Sequence, residues 1–169
     1  MPPCKPGYGA GRLVQRLRLA FVSRRTLYTV ALAVGLRQGE ALGLKWGDIG
    51  LESGTVVVRN TLDRHRGEFR LVEPKTKKSR RTLALPAIAV TALKAHRAAQ
   101  AEERLAVGLD RQDIWGLAFT TPFGAPLHGS NVTRNFKSIL KRAGLREQRF
   151  HDPRHACASL LIVQGTLRA

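Results

Sequence analysis

Apolar residues recur at helical spacing in several stretches of the chain. In the first stretch, four apolar side chains share one face of a helix predicted over 26–34: Leu27, Val30, Ala31 and Val34. Gly35 is predicted to end this helix. Periodicity or alanine content predicts further helices over 40–46, 87–107, 130–143 and 151–164. Of these, the helix over 130–143 has Ser130 as its expected N-cap and Gly144 just beyond its end.

Between the two groups of helices, the period changes to the alternation typical of strands. Three strands are predicted, at 55–59, 68–72 and 81–85, and a short buried segment is predicted at 117–119. The strands are expected to form one small antiparallel sheet, in which residues 75–80 make a basic hairpin tip. Helices before and after a small sheet indicate an α+β fold that is mainly helical.

Length and composition fit a single globular domain. The chain has 169 residues, 43% of them hydrophobic, and contains no run of about 18 apolar residues that would cross a membrane. The first residues lack the apolar core of a secretory signal. Cys4 and Cys157 are the two cysteines and cannot form a disulfide framework, which favours a reducing, cytoplasmic setting.

The charge predicts a polyanionic partner. Lys and Arg number 29 against 12 Asp and Glu, which gives a net charge of +17. Residues 1–25 carry six of the basic side chains and no acidic one, and are predicted to be a basic arm, either disordered or part-helical. Nucleic acid is the expected partner because each neutralised phosphate releases counterions. Charge alone does not separate an enzyme acting on DNA from a non-catalytic binding protein or a merely solvated basic surface.

Three segments carry residues suited to phosphate chemistry. In GLRQGE at 35–40, Arg37 follows a helix end and Glu40 lies one turn further on, able to orient the guanidinium. In EPKTKKSRR at 73–81, a lysine such as Lys75 can contact phosphate or deliver a proton. In FHDPRH at 150–155, His151 and Arg154 share one face at the start of a predicted helix, where backbone N–H groups favour phosphate.

Taken singly, each segment has an ordinary alternative. The first can be a surface Arg–Glu pair, the second a solvated charge run, and the third a cap by Asp152 with Pro153 in the first helical turn. A metal site on His151 and His155 is not expected, because no third ligand accompanies them.

Together, and in this order, the three segments resemble the catalytic domain of the tyrosine recombinases, the phage integrase family. The resemblance spans about residues 26–167, and GLRQGE is followed, as in that family, by apolar residues and a Trp-x-Asp at 46–48. It implies that Arg37 and Arg154 clamp one DNA phosphate and that Lys75 is the general acid. It further implies that His151 assists proton transfer and that Glu40 supports the clamp.

The resemblance also implies the fold, the partners and the remaining contacts. The fold is the DNA breaking-rejoining fold, and the partners are double-stranded DNA and other recombinase protomers, with no metal, cofactor, membrane or small-molecule substrate. Further DNA contacts are expected from the basic residues around the hairpin tip: Lys77, Lys78, Arg80 and Arg81.

The chain departs from the family pattern after the third segment. The family's nucleophilic tyrosine lies roughly 25 residues beyond the second arginine, whereas this sequence ends at Ala169 and has only Tyr8 and Tyr28, of which Tyr28 is expected to be a packing residue. Pro153 also stands where leucine is common. We therefore expect residues 26–169 to be a C-terminally truncated catalytic domain without the N-terminal core-binding domain. Such a chain would bind DNA but be inactive alone; the alternative is a non-catalytic basic nucleic-acid-binding protein.

Overall fold

The computed structural model describes residues 10–73, 80–108 and 111–150 of the chain. Its helices are α1 at Ala10–Val34, α2 at Gln38–Leu42, a 3₁₀ helix at Trp46–Asp48, α3 at Ala87–Val107 and α4 at Gly129–Arg142. Its strands are β1 at Ile49–Gly50, β2 at Thr55–Val58, β3 at Thr61–His65, β4 at Glu68–Val72 and β5 at Arg81–Ala84. This order confirms an α+β fold that is mainly helical.

The core forms where α1 packs along α3. Leu27 and Val30 of α1 and Leu93 of α3 are fully buried, together with Phe119 from the segment predicted to be buried. α1 ends at Val34, and the next residue, Gly35, has φ +68°, as expected for the residue after a helix. The helix passes without a break through the boundary expected between residues 25 and 26, so that boundary does not coincide with the end of an element.

The strands form two sheets instead of the single predicted sheet. The first has the antiparallel order β1-β2-β5, in which Thr55 pairs with Ala84, and the second is the β3-β4 hairpin, in which His65 pairs with Glu68. The prediction that β4 and β5 pair with each other across the basic tip is therefore wrong. Arg66 and Gly67 have φ of 50° and 93°, values typical of a type I′ turn, and this tight turn pairs β4 with β3.

Two helix boundaries also differ from the prediction. The helix expected over 40–46 ends at Leu42, because the chain then bridges to the core through the antiparallel pair of Lys45 and Leu117. Ser130 is not the N-cap of α4: the cap is His128, two residues earlier. The helix predicted over 151–164 lies outside the described residues.

α1 also begins earlier than predicted, at Ala10 instead of residue 26, whereas the ends of α3 and α4 were predicted closely. α3 covers the predicted 87–107, and Gly144 follows α4 with φ +66°. Within the described parts of the chain, no helix combines the length and the apolar character needed to cross a membrane.

Candidate functional site

Arg37 lies at the junction between α1 and α2, where it is the N-cap of α2. Glu40 reaches back from the third position of this helix, so that its Oε2 accepts a hydrogen bond from the Arg37 backbone N–H at 2.8 Å. Its Oε1 accepts a second one, from Arg37 Nη1, at 3.1 Å. The Arg37 side chain is 58% exposed, whereas that of Glu40 is 7% exposed. The contact between the two side chains thus joins a solvent-facing guanidinium to a buried carboxylate.

Arg81, the first residue of β5, provides the remaining contacts to Glu40. Arg81 Nη1 donates to Glu40 Oε1 at 3.1 Å and Arg81 Nη2 donates to Oε2 at 2.8 Å, so the guanidinium and the carboxylate meet as a two-pronged pair. Burial alone would raise the pKa of Glu40, but the hydrogen bonds and charge of Arg81, together with the bonds from Arg37, lower it below its ordinary value. Glu40 is therefore ionised at neutral pH.

We call Arg37, Glu40 and Arg81 the Glu40 cluster. Two guanidinium groups against one carboxylate leave this cluster with a net positive charge, and its exposed member is Arg37. Among the described residues, the Arg37 guanidinium donates only to Glu40, through one nitrogen. Its other N–H groups are suited to binding the oxygens of an anion such as phosphate.

Neighbouring elements fix the position of α2, which is only five residues long. Gln38 Nε2 donates to the Gly129 carbonyl at 2.7 Å and to Thr133 Oγ1 at 2.9 Å, which ties α2 to the first turn of α4. On its other side α2 approaches β3 so closely that a Cβ at Gly39 would lie 2.6 Å from Thr61 Cγ2. Helices this short are not stable by themselves, so these contacts hold α2 in place, and with it the adjoining Arg37.

Gly43 repeats this close approach one turn later. A Cβ there would lie 2.8 Å from the Leu62 nitrogen and 2.9 Å from the Asn60 oxygen, both of them backbone atoms. The backbone of the α2 region therefore lies almost directly against the chain that enters β3.

A groove of about 460 Å³ opens between α2, the β3-β4 hairpin and the start of α4. Its lining includes Gln38, Arg64, Phe69 and His128. The Phe69 and His128 rings meet edge to face at 5.1 Å, and the Arg64 guanidinium lies 5.8 Å from the Phe69 ring centroid. The groove thus combines an edge-to-face aromatic pair with cationic and polar side chains.

The predicted site residues are described only in part. Arg37, Glu40 and Arg81 come together, whereas Arg80 is exposed and forms an ion pair with Glu73. The other predicted residues lie outside the described residues: Lys75, Lys77, Lys78, His151 and Arg154. Gln38 as an anchor of α2 and Arg81 as the partner of Glu40 were not predicted, because no local pattern links either residue to its distant partner.

Tyr28 is buried in the core, where both its hydroxyl and its ring make contacts. Its hydroxyl is 2.9 Å from the Val132 carbonyl and 3.1 Å from Asn135 Oδ1, and its side chain is buried against the ring of Phe136. Burial raises the pKa of the Tyr28 hydroxyl to about 12, although the charge of Arg24 opposes this. The expectation that Tyr28 is a packing residue agrees with these contacts.

Phe150, the residue before His151, packs on the same aromatic group. Its ring centroid lies 5.6 Å from that of Phe136 and 6.1 Å from that of Tyr28. The last described residue is therefore anchored against α1 and α4. No group of three or more metal-binding side chains occurs in the described ranges.

Comparisons with known proteins give consistent matches. The model of the phage integrase family matches residues 12–168, beginning before the residue 26 at which the sequence resemblance starts. A XerC-like tyrosine recombinase of Caldanaerobacter subterraneus subsp. tengcongensis is 37% identical over 152 residues, covering 83% of this chain and 39% of that protein. An integrase of Streptomyces ambofaciens is 38% identical over 150 residues, covering 85% of this chain and 38% of that protein.

Solved structures match the same fold. The Tn1549 transposon integrase in complex with transposon right end DNA has a TM-score of 0.69 at 19% identity, covering 98% of this chain and 55% of that chain. The chain therefore spans about two fifths of the length of these two sequence relatives and about half of the solved protein.

Proposed function

Because this chain belongs to the phage integrase family, we propose that it is a DNA-binding part of a tyrosine recombinase and that Arg37 binds a phosphate of the DNA backbone. The observation that carries the proposal is the placement of Arg37. Its guanidinium is exposed, is fastened through one nitrogen to the buried Glu40, and keeps its other donors for a ligand. A preorganised bidentate donor of this kind stabilises the charge that develops on phosphate oxygens during transfer.

Double-stranded DNA is the proposed substrate. The net charge of +17 favours a polyanion. The relatives are called tyrosine recombinase or integrase, and the Tn1549 integrase was solved on transposon DNA, which supports this choice of substrate. Other recombinase protomers are proposed as further partners.

The proposed chemistry is the transfer of a DNA phosphoryl group to a tyrosine. Arg37 and Arg154 hold the two non-bridging oxygens while a tyrosine oxygen attacks phosphorus and forms a 3′-phosphotyrosine. The bond to the 5′ oxygen breaks, and Lys75 protonates the departing oxygen, with His151 assisting the proton transfer. The roles of Lys75, His151 and Arg154 rest on the family resemblance alone. The phosphotyrosine conserves the energy of the broken bond, so the reaction requires neither a metal ion nor an organic cofactor.

The binding proposal is tested by comparing Arg37→Ala with Arg97→Ala. Arg97 is an exposed arginine on α3 whose guanidinium lies 5.6 Å from the Trp46 ring, so it matches Arg37 in charge but not in position. With a labelled duplex and fluorescence anisotropy, Arg37→Ala is expected to weaken binding about tenfold and Arg97→Ala about twofold. Affinity of the unmodified chain should fall at least about tenfold between roughly 50 and 200 mM salt.

Equal losses for the two variants would contradict a specific phosphate contact at Arg37. That result would support the alternative of a basic protein that binds nucleic acid without using the family residues. A flat salt profile would contradict phosphate-driven binding altogether.

We also propose that the 169-residue chain alone binds DNA without cleaving it. Its tyrosines are Tyr8 and Tyr28, and the hydroxyl of Tyr28 is buried and hydrogen-bonded. Incubation with a nicked duplex that traps phosphotyrosine should give no covalent adduct on a denaturing gel. An adduct would overturn this part of the proposal, and Tyr8→Phe and Tyr28→Phe variants would then locate the nucleophile.

A further inference from the structure

Arg81 is placed unlike a residue that contacts DNA. Both of its terminal nitrogens donate to Glu40, at 3.1 and 2.8 Å, and its side chain is only 25% exposed. The two-pronged contact uses two of the five N–H donors of the guanidinium, and the low exposure of the side chain limits access to the other three. Moving the guanidinium towards a phosphate would weaken its contact with the buried Glu40 carboxylate, which is unfavourable.

Arg37 and Arg81 meet on the same oxygen. Both Arg37 Nη1 and Arg81 Nη1 lie 3.1 Å from Glu40 Oε1, while the Arg37 backbone N–H and Arg81 Nη2 share Oε2. The orientation of the carboxylate plane is therefore set jointly by the two arginines. Since Arg81 belongs to β5, it fixes the carboxylate relative to the β1-β2-β5 sheet, which the short α2 cannot do by itself.

We propose that Arg81 is a positioning residue, which holds Glu40 and through it aims the Arg37 guanidinium at the DNA phosphate. This assignment replaces the expectation from the sequence that Arg81 itself contacts DNA. It rests on the proposed function of Arg37, and it adds that the geometry of the site depends on an arginine that does not touch the substrate.

Arg80 provides a matched control. It precedes Arg81 directly and carries the same charge, but its side chain is 54% exposed and pairs with Glu73 instead of Glu40. If only positive charge near the DNA matters, removing either arginine should lower duplex affinity equally. If Arg81 positions Glu40, only the Arg81 variant should lower affinity strongly.

The test measures duplex affinity of the folded chain for Arg81→Gln, Arg81→Lys and Arg80→Gln, each in the unmodified and the Arg37→Ala background. Arg81→Gln is expected to weaken binding about tenfold and Arg80→Gln about twofold. Arg81→Lys should remain nearly as weak as Arg81→Gln, because one ammonium cannot reproduce the two-pronged contact although it keeps the charge. In the Arg37→Ala background, Arg81→Gln should cause less than about a twofold further loss.

Full affinity in Arg81→Lys would overturn the inference, and so would independent losses for Arg81→Gln and Arg37→Ala. Thermal unfolding followed by circular dichroism sets a temperature at which every variant is folded. In addition, the Arg37 Nε–H signal in heteronuclear NMR should shift in Arg81→Gln and stay unchanged in Arg80→Gln, and an unshifted signal would also overturn it. If Arg37→Ala itself leaves affinity unchanged, the proposed function fails, whereas equal effects at positions 80 and 81 contradict the positioning role alone.

Discussion

Two clusters of polar side chains are each built around a buried group, and they differ in whether they present a charge at the surface. The Glu40 cluster carries a net positive charge and reaches solvent through Arg37, whose side chain is 58% exposed. The second, which we call the His96 cluster, consists of His96, Gln100 and Trp46. There, Trp46 Nε1 donates to Gln100 Oε1 at 2.6 Å, and His96 Nε2 and Gln100 Nε2 lie 2.7 and 3.1 Å from the Ala118 carbonyl.

The two clusters show that burial of polar groups does not by itself indicate a binding site. The His96 cluster is neutral and directs its hydrogen bonds inward, where they join α3 to the buried segment around Ala118 and so stabilise the core. The Glu40 cluster uses its buried carboxylate to hold a charged group at the surface. The Glu40 cluster therefore differs from the His96 cluster in carrying a net charge and in presenting one charged side chain, Arg37, to solvent.

The largest expected effect comes from Glu40→Gln, which should disturb both stability and binding. Removing the charge leaves two arginines without their carboxylate, so we expect a loss of about 3 kcal/mol in the free energy of unfolding. Duplex affinity should fall about as far as in Arg37→Ala, roughly tenfold. Urea denaturation and fluorescence anisotropy measure the two quantities.

Low pH should abolish this difference in stability. The folded-state pKa of Glu40 is lowered, so its contribution is present above the ordinary value of 4.5 and is lost as the pH falls through the folded-state pKa. The gap between the unmodified chain and Glu40→Gln should therefore shrink below that pH. Glu147→Gln serves as the control, because Glu147 is an exposed carboxylate paired with Lys137. This substitution should change neither the free energy of unfolding nor the duplex affinity noticeably.

The His96 cluster should respond to pH without affecting binding. Burial lowers the pKa of His96, whose Nε2 donates to the Ala118 carbonyl in the neutral form, so the unfolded chain binds a proton more readily than the folded one. Stability linked to His96 should thus be lost as the pH falls below about 6.5. In His96→Phe this part of the acid sensitivity should disappear, at the expense of about 1 kcal/mol near neutral pH for the lost hydrogen bond.

Urea denaturation at several pH values checks this prediction, with duplex affinity as the second measurement. Because the His96 ring nitrogen is hydrogen-bonded to the core and not to a charged surface side chain, the affinity of His96→Phe should equal that of the unmodified chain. A tenfold loss of duplex affinity in His96→Phe would contradict the conclusion that only the Glu40 cluster takes part in binding.

The smallest effect is expected from Tyr28→Phe. The variant loses hydroxyl contacts to Val132 and Asn135 but keeps the ring packing, which should lower stability by about 1 kcal/mol and leave duplex affinity unchanged. Thermal unfolding and anisotropy provide the measurements. A larger loss of affinity than of stability would mean that Tyr28 supports the binding face through α4.

Local patterns predicted some elements over their full length, such as α3 and β4, but predicted only residues 26–34 of α1 as a defined helix. The alanine-rich composition of α3 and the alternation in β4 specify a helix and a strand without reference to the rest of the chain. β3 was missed because Leu62 is its only buried residue, so that its sequence carries little apolar alternation. The division into two sheets depends on the positive φ of Arg66, which its residue type does not favour.

The site was predictable to a similar extent. Arg37 and Glu40 are three residues apart on one helix, so their contact follows from sequence spacing. Arg81 lies 41 residues beyond Glu40 and Gln38 lies 91 residues before Gly129, and such pairs meet only through the fold. The residue proposed to bind phosphate was therefore predictable from the sequence, whereas the contacts that orient it were not.

The glycines at positions 39 and 43 restrict how this protein can be engineered. Replacing glycine by alanine is a common first step towards heat resistance in helices, since it reduces the freedom of the unfolded chain. Here an added methyl group at either position would press on β3 or its approach, at 2.6 Å from a side-chain carbon or 2.8 Å from a backbone nitrogen. A mutant library around Arg37 would accordingly lose many of its members at these two codons, and attempts to retarget the protein should leave both glycines unchanged.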